Sequence, residues 1–166
     1  MTPNPIRRAQ PSDAPVLVTL RALMFEAMGV PGVDEARWRE AARAWFEREL
    51  AQRHTCVVLA EDPSGAVVAS AMGRLRYEAP SPTNPGGVSG IVSNVVTLPA
   101  ARHQGLARAC LDELLAWFRD ETDAGQLELF ATGEGAGLYE SFGFAPTDHP
   151  ALRLRVPRTD GVLRRP

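Results

Sequence analysis

Apolar residues recur along the chain with two periods, one near 3.6 and one near 2, and Pro and Gly mark the changes between them. Ile6–Gln10 reads as a short strand. Ser12 or Asp13 can cap a helix whose first turn suits Pro15; Val16, Leu20, Met24 and Ala27 share one face, and Gly29 and Pro31 end it. Asp34 can cap a second helix through Leu50, with Trp38, Ala42 and Trp45 on its apolar side. Between Thr55 and Tyr77, two strand-like runs flank Asp62-Pro63-Ser64-Gly65, a hairpin signature. Val88–Leu98 is a third clear strand, Gln104–Arg119 a strongly periodic helix and Gln126–Ala131 another alternating strand. Gly135–Phe144 reads as a short helix stopped by Gly143, and Ala151–Val156 alternates once more. Helices first, then strands, then strand–helix–strand–helix–strand, predict a three-layer α/β or α+β sheet domain.

The corner between the third strand and the long helix stands out. A β-branched run stops at Pro99, and Arg102, His103, Gln104 and Gly105 follow just before the helix. The first N–H groups of a helix lack intrahelical partners, and the helix dipole adds partial positive charge there. A close-approaching loop, with Gly105 and small Ala107 leaving room, can wrap such donors around a phosphate, and Arg102 adds a bidentate cation. Leu106, Cys110, Leu114 and Phe118 anchor the helix on the sheet. Spacing alone fits two readings, a phosphate cradle or a tight connection. Neither G-K-[ST] nor G-x-G-x-x-G is present, so the corner is no nucleotide P-loop and no dinucleotide fingerprint.

Composition changes this picture little. The chain has 166 residues, 45% hydrophobic and 23% charged, with net charge −2, which gives no electrostatic reason to expect nucleic acid. All 18 basic residues are arginine and none is lysine, so any one Arg is a weak phosphate signal and self-modification of lysine is excluded. Cys56 and Cys110 lack metal spacing, and His54, His103 and His149 are scattered, so no metal site is expected. Cys110, on the apolar face with Leu106 and Leu114, reads as a packing thiol rather than a nucleophile. The N-terminal MTPNPIRRAQ has no hydrophobic signal core and no apolar run nears the ~20 residues of a membrane helix. A cytoplasmic protein without membrane partners is the expectation.

The run V-V-T-L-P-A-A-R-H-Q-G-L-A resembles the signature of the GNAT superfamily of N-acetyltransferases: a strand ending in Val-x-x-x-Pro, then R-x-x-G-x-[GA], matched by Arg102, Gly105 and Ala107. A second signature, L-Y-E-x-x-G-F, is matched by Leu138, Tyr139, Glu140, Gly143 and Phe144. The order of elements from Ile6 to Val156 also fits. The resemblance implies one N-acetyltransferase domain over 1–166, with a mixed, mostly antiparallel sheet of six to seven strands. About four helices would flank the sheet, and it would be splayed in the middle to hold the arm of coenzyme A.

It further implies that Arg102, His103, Gln104, Gly105, Leu106 and Ala107 hold the acetyl-CoA diphosphate through backbone N–H groups. Val95, Val96 and Thr97 would pair with the pantetheine arm, at a β-bulge that parts this strand from Gln126–Ala131. The N–H of Val96 or Thr97 would stabilise the thioester oxygen. Tyr139 matches the family's general acid. Where members carry a carboxylate before the cradle, this chain has Ser93 and Asn94, a possible water relay, with Glu26, Glu61 and Glu78 more remote. Where the pattern places Asn, this chain has Thr132 and Gly133, so Thr132 is the substitute cofactor contact.

The acceptor groove implied by the resemblance lies near Phe25, Glu26 and Met28, with Glu78 and the 146–154 segment; Glu26 or Asp148 would face a cationic acceptor, and Trp38 and Trp45 read as core or dimer-interface residues. The expected activity is acyl transfer other than aminoacyl transfer, from acetyl-CoA to a primary amine of a small molecule or peptide by direct attack, and family analogy suggests a homodimer. The competing reading is a non-catalytic acyl-CoA-binding or sensing domain.

Overall fold

Five strands and four α-helices account for the ordered framework of the computed structural model, which describes residues 4–149, 151–154 and 156. Two compact units divide the chain, Met1–Phe130 and Ala131–Pro166. In the first unit the elements are β1 (Ile6–Arg8), α1 (Ala14–Ala27), α2 (Ala36–Glu49), β2 (Thr55–Glu61), β3 (Val67–Tyr77), β4 (Val88–Thr97), α3 (Leu106–Glu121) and β5 (Gln126–Glu128). The sheet order is β1-β2-β3-β4-β5, antiparallel throughout except for the β4–β5 pair, which is parallel.

The β2–β3 hairpin forms where Asp62-Pro63-Ser64-Gly65 places it. Asp62 Oδ1 accepts the N–H of Ser64 at 2.8 Å and of Ala66 at 3.1 Å, and Gly65 turns the chain at φ +84°. Every residue from Thr55 to Ala60 is buried, so β2 is covered on both faces. Alternate residues go to opposite layers. Val57, Leu59 and Met72 pack with Ala14, Leu17, Val18 of α1 and Phe46 of α2. On the other face, α3 buries Leu106, Cys110, Leu111, Leu114, Trp117 and Phe118, the expected stripe with its flanks filled in.

Glycines set the depth at which α3 sits. A Cβ at Gly73 would lie 2.6 Å from Phe118 Cε2, and one at Gly90 would lie 2.4 Å from Phe118 Cε1. The Phe118 ring therefore rests directly on the backbones of β3 and β4. On α1 the buried residues are Ala14, Leu17, Val18, Leu20 and Ala22, so of the Val16, Leu20, Met24 and Ala27 face only Leu20 is fully covered. On α2, Phe46 and Glu49 are buried, beyond the half-buried Trp38, Ala42 and Trp45. No helix among the described residues is long and apolar enough to cross a membrane.

The second unit contains α4 (Ala136–Glu140). Gly143 follows at φ +89°, and the N–H of Phe144 reaches back to the Tyr139 carbonyl at 3.1 Å, which ends the helix as the sequence suggests. Residues 151–154 and 156 carry no strand, and 155 lies outside the described residues. The framework thus has five strands among the described residues, where six to seven were expected, and β5 is three residues long rather than six.

Candidate active site

The site grows from an irregularity in β4. Opposite β3, Thr97 pairs with Ala69 and Val96 with Ser70, but Ser93 pairs with Met72. Two residues, Asn94 and Val95, therefore face the single Ala71, which is a β-bulge. Asn94 adopts φ +50°, a left-handed conformation that Asn tolerates better than most side chains. Three contacts hold it there. Ser70 Oγ donates to the Asn94 carbonyl at 3.1 Å, Arg21 Nη1 donates to Asn94 Oδ1 at 2.5 Å, and Asn94 Nδ2 lies 3.8 Å from Met72 Sδ. Asn94 is thus buried and tied to α1.

Its consequence appears on the other edge of β4. Pairing with β5 covers only Ser89–Ile91, so among the described residues the bulge and everything after it has no strand beside it on that edge. The Leu98 N–H donates to the Val68 carbonyl at 2.8 Å. Because successive N–H groups of a strand point to opposite edges, that of Val96 also faces β3, while that of Thr97 faces the open edge. The two N–H groups expected at this position are therefore not equivalent. The Thr97 hydroxyl is buried without a partner among the described residues.

The corner itself follows at once. Pro99–Ala101 forms one 3-10 turn, Arg102 is extended at φ −66° and ψ 162°, His103 takes φ +62°, and Gly105 takes φ +77° immediately before α3. Among the described residues, the N–H groups of His103, Gln104 and Gly105 donate to no backbone carbonyl. Leu106 and Ala107 open the helix, where N–H groups have no intrahelical acceptor. Arg102 to Gly105 are exposed, Leu106 is buried and Ala107 is half-buried. A Cβ on Gly105 would meet nothing within 4 Å, so open space faces the loop. Unpaired donors, a helix N-terminus and free volume suit an anion such as a diphosphate.

In the second unit, Tyr139 sits on α4, its ring edge-to-face with Phe144 at 6.2 Å. A Cβ on Gly135 would lie 3.0 Å from Tyr139 Cε2 and 3.4 Å from Thr132 Oγ1, so these three residues are neighbours. Burial pushes the Tyr139 phenol above its ordinary value of 10. It keeps its proton at neutral pH, as an acid must.

Of the expected acceptor residues, Phe25 lines a cavity of about 360 Å³ between α1, α2 and their connection, together with Arg21, Val30, Val33 and Trp38. Trp38, read from the sequence as core or interface, packs on the core and also walls this cavity, held by Nε1 donating to the Gly32 carbonyl at 3.0 Å. Glu26 and Met28 are exposed at the end of α1 and do not line it. Glu78 follows β3 at the end where Tyr77 pairs with Val88. At ~3.3 Å per residue, that is roughly 20 Å along β4 from the bulge, so the structure does not bring Glu78 to the others. Cys110 is fully buried and its thiol is pushed up to about 12, which suits packing and not nucleophilic attack. Sequence reasoning missed Arg21, whose one signal was a cation set among the apolar residues of α1.

A search of the curated proteins finds no match. Among solved structures, the chain is similar to a predicted acetyltransferase from Clostridium acetobutylicum, solved with acetyl-CoA. The two are 26% identical over 92% of this chain and 96% of that one, with TM-score 0.81. It shares its fold with a GCN5-related N-acetyltransferase from Ralstonia eutropha (23% identity, 91% and 98% of the two chains, TM-score 0.80). It shares it also with a ribosomal-protein-alanine N-acetyltransferase from Brucella melitensis biovar Abortus (22%, 93% and 99%, TM-score 0.66). Residues 17–144 match the model of the acetyltransferase (GNAT) family, so the chain, with its bulged strand and donor-lined corner, belongs to that family of acetyl-CoA-using acyltransferases.

Proposed function

We propose that residues 1–166 form one N-acetyltransferase domain. It moves an acetyl group from acetyl-CoA to a primary amine of a small molecule or peptide, by direct attack with both substrates bound. The observation that carries this reading is the pairing of an unpartnered β4 edge at the bulge with the run of unsatisfied N–H donors from His103 to Ala107.

The residues present fit the cosubstrate. His103 to Ala107 would hold its diphosphate through main-chain N–H groups, Arg102 would add charge, and Val95 to Thr97 would pair with the pantetheine arm. Thr132 is proposed as a further contact. Acetyl-CoA supplies an acyl carbon activated as a thioester. An alkylammonium has a pKa near ~10 and must lose a proton before it attacks. We assign that proton to water held by Ser93, with Asn94 shaping the strand beside it. The Thr97 N–H stabilises the charge that the thioester oxygen gains as the N–C bond forms. Tyr139 gives its proton to the sulfur as the C–S bond breaks, and the second proton of the attacking nitrogen passes through water to the Tyr139 phenolate, so that the thiol and the amide leave neutral and the phenol is restored.

The absence of a carboxylate at Ser93 and Asn94 favours a second reading, a domain that binds acyl-CoA without turning it over. Release of CoA thiol across a panel of amines and N-terminal peptides separates the two. Amine-dependent release that Tyr139→Phe suppresses supports the enzyme; binding of acetyl-CoA with no release on any amine supports the sensor. The proposal extends, on composition and family analogy, to a cytoplasmic homodimer, which light scattering tests for its second part.

A further inference from the structure

The cavity beside the bulge says what kind of amine it accepts. Among the described residues lining it, Arg21 is the one charged side chain; the others, including Phe25, Val30, Val33, Trp38 and Ala42, are apolar. Arg21 is half-buried. Its guanidinium carbon lies 4.6 Å above the Phe25 ring, and Nη1 donates to Asn94 Oδ1. Among the described residues no carboxylate forms an ion pair with it, in contrast to Arg7 and Arg8, each held by two acidic side chains. A guanidinium has five N–H donors in a planar fork, and one neutral amide oxygen uses one of them. The fork is thus partly desolvated, held by the aromatic ring beneath it, and, among the described residues, short of an anion.

We propose that Arg21 binds an anionic group, a carboxylate, on the acceptor itself: the acceptor is an apolar amine that also carries a carboxylate, as an α-amino acid with an apolar side chain does. The inference rests on the enzymatic reading of the bulge given above. Arg21 touches Asn94, so an acceptor held by its carboxylate on Arg21 has its amine within a few ångströms of the strand where the thioester would lie. Its side chain packs in the cavity against Phe25 and Trp38, whose rings meet edge-to-face at 5.8 Å and form one apolar wall. No acidic residue lines the cavity to favour a simple cationic amine. Glu26, the sequence-based candidate for that role, is exposed and outside the lining. A cavity of about 360 Å³ lies at the small end of ligand sites, which suits an acceptor of amino-acid size.

The test compares matched acceptors, phenylalanine against phenylalaninamide and leucine against leucinamide, in the wild type, Arg21→Lys and Arg21→Gln. Thiol release gives kcat/KM, and calorimetry on the CoA-loaded protein gives affinity for N-acetylphenylalanine and its amide. Charge-assisted hydrogen bonds to a fixed fork predict a preference for the acid of roughly 10- to 100-fold. Arg21→Gln should reduce the acid-to-amide ratio to near one, and Arg21→Lys should retain part of it. A ratio within one protein is insensitive to partial loss of folding. Equal use of acid and amide by the wild type, or a ratio unchanged in Arg21→Gln, overturns the inference and leaves the enzymatic reading standing. Arg21-dependent binding of the N-acetyl acid with no thiol release on any amine supports the anion site and overturns the enzymatic reading. Failure of N-acetylphenylalanine to bind, with neither phenylalanine nor leucine turned over, overturns the inference.

Discussion

Substitutions at Gly105 separate what the corner does for the fold from what it does for the ligand. Gly105 has φ +77°, and a Cβ placed on it would meet no atom within 4 Å. Alanine there clashes with nothing and costs only the left-handed strain of an L-residue, about 1 kcal/mol. In a chain of this length that lowers Tm by roughly 2–4 °C. Glutamate adds the same strain and also places a negative charge in the open space in front of the donors. At ~5 Å from one phosphate charge, with an effective dielectric near ~20, the repulsion is about 3 kcal/mol, a loss of roughly 100-fold in affinity. Gln104→Ala keeps the main chain and should barely change binding. Calorimetric titration with CoA, alongside thermal unfolding of each variant, reads both effects. The reasoning is refuted if Gly105→Glu binds CoA as tightly as Gln104→Ala while showing the expected drop in Tm.

Three further outcomes follow from other parts of the molecule. Tyr139→Phe should lower kcat strongly with CoA affinity nearly intact; because burial raises the phenol above 10, the wild type should lose activity through this group only as pH climbs beyond that value, and a Tyr139-dependent fall near neutral pH would contradict the acid role. Gly90→Ala places a Cβ 2.4 Å from Phe118 and 2.5 Å from Leu127, and overpacking of this kind should destabilise by about 1–3 kcal/mol in denaturant titration; an unchanged midpoint would show that α3 can lift from the sheet at no cost. Glu49, buried on α2, is held below its ordinary 4.5 by the hydrogen bond from His54, then by Arg48 and Arg74. Its contribution is therefore present at neutral pH and lost as pH falls below 4.5 through the folded value. Glu49→Gln should flatten that part of the acid-stability curve, and an unchanged curve would remove the residue from the account.

The parts of this fold that could be read along the chain are those governed by neighbours in sequence. Asp62 and Gly65 make their own turn, and Gly143 ends α4 through bonds to residues a few places back. The stripe on α3 survives because one face of a single sheet lies against it. Contacts distant in sequence decided the rest. The α1 face was misjudged because α1 packs on the sheet and on α2 at once, which buries Ala14 and Val18 along with Leu17. Arg21 could not be singled out, since its meaning comes from Asn94, 73 residues away. The bulge was expected from the family's pattern, but its position at Asn94, and hence the choice of the Thr97 N–H over that of Val96, depends on register with β3. Thr132 and Tyr139 were named by motif, and their proximity across Gly135 emerges only in three dimensions.

The most direct measurement is a titration of isotope-labelled protein with CoA, followed by amide resonances. Engagement of the diphosphate by main-chain donors predicts the largest shifts at His103 to Ala107, with Thr97 moving among the next. Shifts that leave these residues still and gather instead around the cavity of about 390 Å³ lined by Arg8, Arg53 and Trp117 would contradict it.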